Sequence, residues 1–187
     1  MKLKEVFSVI KEEYYLNCGH KSFIYNLIYP NYCYKYLFYN RLYEFSRSGD
    51  GGIKKIFSFF LKIKVHKWSF KTKIEIPTFT IGRGLKINHT TGGIIINSRA
   101  RIGRNCYLSN GVIIGQDNIY KPNNVPIIGN NVHFAPNSKV FGNVIIGDNV
   151  IIGTDCIVMK SIPSNCCVVG NPARIVRKDG KKCNIPL

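Results

Sequence analysis

The chain has 187 residues, enough for one domain of ordinary size with a small appended subdomain. A 45% hydrophobic content excludes a disordered chain and leaves material for a core. The net charge of +17, of which residues 1–73 supply +9, points to anionic partners: a phosphorylated cofactor, an acidic membrane surface or nucleic acid.

The start, Met1-Lys2-Leu3-Lys4-Glu5, lacks the apolar stretch of a signal peptide. No run of 18 apolar residues offers a membrane span, so the sequence predicts a cytoplasmic protein. Residues 1–73 are basic and aromatic-rich, with Tyr and Phe dense between Phe23 and Phe60. They read as two to four short helices, broken at Pro30 and around Ser48-Gly49-Asp50-Gly51-Gly52. The aromatic stripe is expected to be core. Mixed as it is with Lys35, Lys54, Lys55, Lys62 and Lys64, it also suits peripheral association with an anionic membrane, at the inner face of the cytoplasmic membrane.

From residue 74 a six-residue period takes over. Aliphatic or aromatic residues recur at Ile96, Ile102, Leu108 and Ile114, then at Ile128, Phe134, Val140, Ile146, Ile152 and Val158. Ile81 and Ile87 belong to the same series, and a small residue commonly follows, as at Gly103, Ser109, Ala135 and Gly153. Neither a helix, with a period of ~3.6, nor a strand, with a period of ~2, produces this spacing. Short strands joined by tight corners do, with three units per coil of ~18 residues. The sequence therefore predicts a mainly β fold, a parallel β-helix over 74–170 behind the small helical segment 1–73. Residues 116–126 (QDNIYKPNNVP) break the period and read as a loop expelled from one corner. Gly170-Asn171-Pro172 ends the pattern, leaving 171–187 as a basic tail.

Seven cysteines without paired CxxC motifs or zinc-site spacing are expected to be reduced thiols, and no metal site is predicted. His20 and His66 lie outside the repeat, and His133, within it, is expected to be structural. There is no GxxxxGK[ST] loop and no recognised nucleic-acid module, so nucleic acid is not an expected partner.

The stretches IGRGLKINHTTGGIIIN (81–97), IIGNNVHFAPNSKVFGNVIIGDNVIIGTDCIV (127–158) and VVGNPARIV (168–176) resemble the hexapeptide-repeat acetyltransferases. The resemblance is to the branch that holds serine acetyltransferases and related bacterial polysaccharide O-acetyltransferases. YPNYCYKYLFYNRLYEF (29–45) is similar to the helical lead-in of this branch. The resemblance implies a left-handed β-helix, acetyl-CoA as co-substrate and a homotrimer with its site between adjacent solenoids.

It also implies roles for particular residues. Moving acetyl from a thioester to an alcohol needs a base for the hydroxyl proton, and His89 matches the family's catalytic base. The family's acidic partner falls in this region. Serine acetyltransferases place it at the position of Ile74, whereas this chain offers Glu75. Gly115, Ala135 and Gly153 would let the pantetheine arm approach the backbone, and Arg174, Arg177 and Lys178 would meet the cofactor's phosphates.

Two departures from the serine-specific pattern bear on the acceptor. Asn88 stands where an Asp holds the amino acid's ammonium, and Asn124-Val125-Pro126 replaces an Arg-His-Pro segment. With Asn88, Asn123 and Asn124 as neutral hydrogen-bonding groups and Tyr120 to stack on a pyranose, the expectation is a sugar hydroxyl. The acceptor would be an O-antigen, a capsule or a carrier-linked precursor of such a surface polysaccharide. Serine O-acetylation in cysteine biosynthesis is the alternative, and a non-catalytic scaffold is a third reading.

Overall fold

A computed structural model describes residues 3–19, 31–48, 52–89 and 92–187, the Ile53 side chain excepted. Among the described residues three helices lead, α1 (Leu3–Cys18), α2 (Tyr32–Arg47) and α3 (Gly52–Thr72), each longer than the short helices expected. Asn31 caps α2, its side-chain oxygen accepting from Tyr34 N. Pro30 and residues 49–51, the expected breaks, lie outside the described residues, as does His20.

Behind the helices, strands of mostly two or three residues stack into three parallel sheets. The repeat visits the sheets in turn. The first holds Ile96, Ile114, Val140 and Val158 in register, and the second Ile102, Ile128 and Ile146. The third holds Ile87, Leu108, Phe134, Ile152 and Val168. All these side chains are buried and stack on their counterparts one coil away. Burial of each contributes about 1.5–3 kcal/mol, which no two-residue strand could gain in isolation. The coils turn at corners where Asn105, Asn131, Asn137, Asn149 and Asn165 adopt left-handed backbone angles, which asparagine tolerates.

The segment 171–187 differs from the basic tail expected. After β13 (Cys166–Val169) the chain folds back as β14 (Arg174–Lys178) and β15 (Lys181–Pro186), an antiparallel hairpin added to the end of the third sheet. Ile175 is buried beneath it, and Asp179-Gly180, both at positive φ, make the turn. Charge dominated the sequence reading there, although alternation around Ile175 is the signal of a strand.

The helices sit over the opposite end of the same sheet, whose last strand is β2 (Lys86–Ile87). An open strand edge exposes unpaired backbone groups, and side chains of the helices take them up. Asn17 accepts from Ile87 N at 2.8 Å and donates to Leu85 O at 2.9 Å, as a neighbouring strand would. Arg41 is buried with Glu13 and Glu44, at 2.7 and 3.0 Å, and donates to the carbonyls of Ile81 and Gly82. Glu13 in turn accepts from Leu85 N and Glu44 from Phe79 N. The Tyr36 hydroxyl donates to Ile76 O and accepts from Ile76 N.

Candidate active site

Directly after β2, Asn88 and His89 turn the corner from the third sheet towards the first. His89 has φ +69°, unusual for a residue with a Cβ, and its ring is exposed. Three contacts hold the corner. Asn88 N donates to Leu108 O at 3.0 Å, Gly92 N donates to Thr72 O at 2.9 Å, and the Cys33 thiol donates to His89 O at 2.9 Å. Burial pushes the Cys33 thiol up to about 12, so it stays protonated and remains a donor. A Cβ on Gly92 would run into the Ile74 side chain, which leaves glycine at that point of the turn. The Asn88 amide nitrogen lies 3.1 Å from His89 Nε2. In this orientation it donates to Nε2, placing the ring proton on Nδ1 and the basic lone pair on Nε2.

The register extends this corner along the solenoid axis. Ile87, Leu108, Phe134 and Ile152 stand in one file, so the residues after them do too: Asn88, Ser109, Ala135 and Gly153. Their backbones are tied in series, Ser109 N to Phe134 O, Ala135 N to Ile152 O and Gly153 N to Val168 O. Two of the expected cofactor residues, Ala135 and Gly153, thus share the corner of His89. Gly115 does not: it ends β6 (Ile113–Gly115), at the far side of the first sheet, beside Phe141. Arg174, Arg177 and Lys178 lie on β14, five strand spacings from β2, or about 24 Å. Arg174 donates to the Asn184 side chain at 2.7 Å, and Arg177 and Lys178 are exposed.

Glu75 lies on β1 (Ile74–Glu75), pairs with Ile95 on the first sheet and points outward. No hydrogen bond joins it to His89 among the described residues. It instead borders two surface cavities. One, of about 480 Å³, lies along the first sheet with Ile95, Asn97, Ile113, Gly115 and Gln116. The other, of about 380 Å³, lies beneath the helices with Tyr43, Lys62, His66 and Ser69. The expelled loop is pinned by buried Val125 and by Arg101 N donating to Pro126 O. Asn124 donates to Asp117, Asn123 is exposed, and Tyr120 stands at the loop tip, 87% exposed. His133 packs edge-on to Tyr107, ring centroids 4.4 Å apart, and burial lowers its pKa. Cys33, Cys106, Cys156, Cys166, Cys167 and Cys183 are free thiols.

Nothing in the sequence marks Cys33 or Asn17 as part of this corner. Each lies more than fifty residues from the group it holds, and neither residue type in a helix signals such a bond.

Comparison with known proteins agrees with this architecture. No family model matches the chain. It is 35% identical over 146 residues to a serine acetyltransferase of Staphylococcus epidermidis, covering 78% of this chain and 62% of that one. A serine acetyltransferase of Staphylococcus xylosus is 42% identical over 114 residues, 60% of this chain and 52% of its own. A solved serine acetyltransferase in complex with CoA superposes with a TM-score of 0.70 at 20% identity, over 93% of this chain and 71% of that one. Over its β-helix the chain is similar to the hexapeptide-repeat acetyltransferase family. Its fold is that family's left-handed parallel β-helix. This hexapeptide-repeat chain spans about half the length of the curated relatives it matches.

These relatives overturn the expected acceptor. The sequence reading favoured a sugar of a surface polysaccharide, whereas the matched proteins are serine acetyltransferases. Asn88 and Asn124 are the two positions where a charge partner for an amino acid is missing. Charge on this surface is not confined to those positions: Glu75 borders the groove on the first sheet, and Asp117 lies within the loop.

Proposed function

We propose that this hexapeptide-repeat chain is an acetyl-CoA-dependent serine O-acetyltransferase with His89 as general base. The observation that carries the reading is the exposed imidazole at the head of a file of small corner residues, in a chain whose relatives are serine acetyltransferases. His89 Nε2 accepts the serine hydroxyl proton as that oxygen attacks the thioester carbonyl. The tetrahedral intermediate collapses with cleavage of the C–S bond, and the imidazolium returns the proton to the departing thiolate. The Asn88 amide fixes the tautomer and yields Nε2 to the acceptor. Glu75 borders the groove on the first sheet. The pantetheine arm runs along Ala135 and Gly153, with Gly115 lining the groove beyond, and Arg174, Arg177 and Lys178 pair with the phosphates. Asn123, Asn124 and Tyr120 border the acceptor from the loop.

A homotrimer places this site between adjacent solenoids. Exposed Ile127 and Ile145, neighbours on the second sheet, support such contact.

The test is CoA release and O-acetylserine formation from acetyl-CoA and L-serine. Turnover is expected, and His89→Ala should lower kcat by about 10²–10⁴ with the fold intact. A folded protein that forms no O-acetylserine with both substrates saturating would sink the reading.

A further inference from the structure

Helix α3 is seated by one face only. Leu61 is buried and Ser58, Val65, Trp68 and Ser69 are half-buried, a stripe at helical spacing that faces the solenoid and α2. Thr72 continues that stripe, and Ser69 Oγ donates to Ile74 O, fastening the end of the helix to β1. The opposite face holds Ile56, Phe59, Phe60, Ile63 and Phe70, between 50 and 72% exposed. At ~100° per residue these five form one strip along ~21 Å of helix. Such a strip is unusual on a surface that meets only water.

Charge says what meets it. The helix carries Lys54, Lys55, Lys62, Lys64, Lys67 and Lys71 and no acidic residue. Lys54 and Lys71 are turned to rings of the packed side, Phe45 and Trp68. Lys55 and Lys62 border one edge of the strip, Lys64 borders the other, and Lys67 interrupts it near its end. Lys73, just beyond, sets its ammonium 4.2 Å from the centroid of the exposed Phe70 ring. An apolar strip edged by lysines matches a bilayer interface, where rings enter the acyl boundary and ammonium groups reach up to phosphates. Docking the same strip against its copy would press like charges together with no acidic partner on either helix. No described helix is long and apolar enough to cross a membrane. The contact is therefore one that lies in the interface.

We infer that α3 is a docking surface for an anionic phospholipid bilayer, through Ile56, Phe59, Phe60, Ile63 and Phe70 with Lys55, Lys62, Lys64 and Lys67 at the headgroups. The surface holds the solenoid, and with it the corner of His89, beside the membrane. Vesicle binding is read without any acetyl transfer, so its outcome is separable from that of the proposed reaction.

The full chain is sedimented with vesicles of phosphatidylcholine alone and of phosphatidylcholine mixed with phosphatidylglycerol. Binding is expected to the mixed vesicles, weakening as salt is added. Phe60→Glu combined with Ile63→Glu, both at exposed positions, should weaken it at least about tenfold and leave the circular dichroism spectrum unchanged. Lys55→Glu with Lys64→Glu should weaken it on the mixed vesicles too. Absence of binding to mixed vesicles at low salt overturns the inference, as does equal binding to both vesicle types. So does a larger oligomer that the Phe60→Glu, Ile63→Glu variant loses in sedimentation velocity without any vesicle binding, since that assigns the strip to a second copy.

Discussion

Two residues of the solenoid show how a single side chain can run against its position. Ser138 is fully buried, and its hydroxyl is the one buried side-chain polar atom among the described residues without a hydrogen-bond partner. It stands two places before the anchor Val140. The corresponding places before Ile114 and Val158 are filled by Val112 and Cys156, both buried. An orphaned hydroxyl costs about 1–3 kcal/mol, and a valine already fits this position one coil away. Ser138→Val is therefore expected to raise stability by about 1 kcal/mol in urea unfolding; a lower midpoint would mean that the site is too tight. His133 is the second case. Burial beside Tyr107 disfavours its charged form, so its folded pKa lies below the ordinary 6.5. The neutral ring's contribution is thus complete above pH 6.5 and is lost as pH falls through the lower folded value. Melting temperature measured against pH should fall less steeply on the acid side for His133→Gln than for the parent.

At the scale of elements, the contrast is between what repeats and what does not. The strands were legible in the sequence because each inward side chain lies six residues from the next. Ile96, Ile102 and Leu108 announce three sheets before any contact is known. His89 was legible through the surrounding motif, and the corner it shares with Ala135 and Gly153 follows from the same period. The sequence did not carry the attachment of the helices, because its bonds join positions far apart in the chain. Asn17 to Ile87 spans 70 residues and Cys33 to His89 spans 56. Hairpin β14–β15 was hidden by its own lysines and arginines. The helical attachment can be tested at Asn17. Asn17→Ala leaves Ile87 N and Leu85 O, at the edge of β2, without their side-chain partners. A loss of about 1–3 kcal/mol is expected, with faster amide exchange at Ile87. Asn17→Asp keeps the acceptor for Ile87 N and should restore that protection in part. Unchanged exchange at Ile87 in Asn17→Ala would show that the edge is held by something else.

For the whole molecule, the question is whether the helices and the solenoid unfold as one body. Each coil touches chiefly its neighbours, so the stack should tolerate loss of one end. One guanidinium ties both α1 and α2 to that end. Arg41 faces Glu13 and Glu44, and all three are buried. Burial works against the Arg41 charge, but the two carboxylates outweigh it and raise its pKa. Through the same groups α1 and α2 reach Phe79, Ile81, Gly82 and Leu85, the segment that leads into β2. Arg41→Leu removes the cation and leaves two carboxylates buried without it, a change that costs about 3–5 kcal/mol. The penalty falls on the helical attachment, not on the coils. In hydrogen exchange, amides of α1, α2 and β2 should lose protection while those from β4 (Arg101–Ile102) to β13 keep theirs. Because β2 leads directly into His89, the proposed acetyl transfer should fall with the helices even though Arg41 lies outside the proposed site. A uniform loss of protection across all coils would instead mean that helices and solenoid form a single cooperative unit.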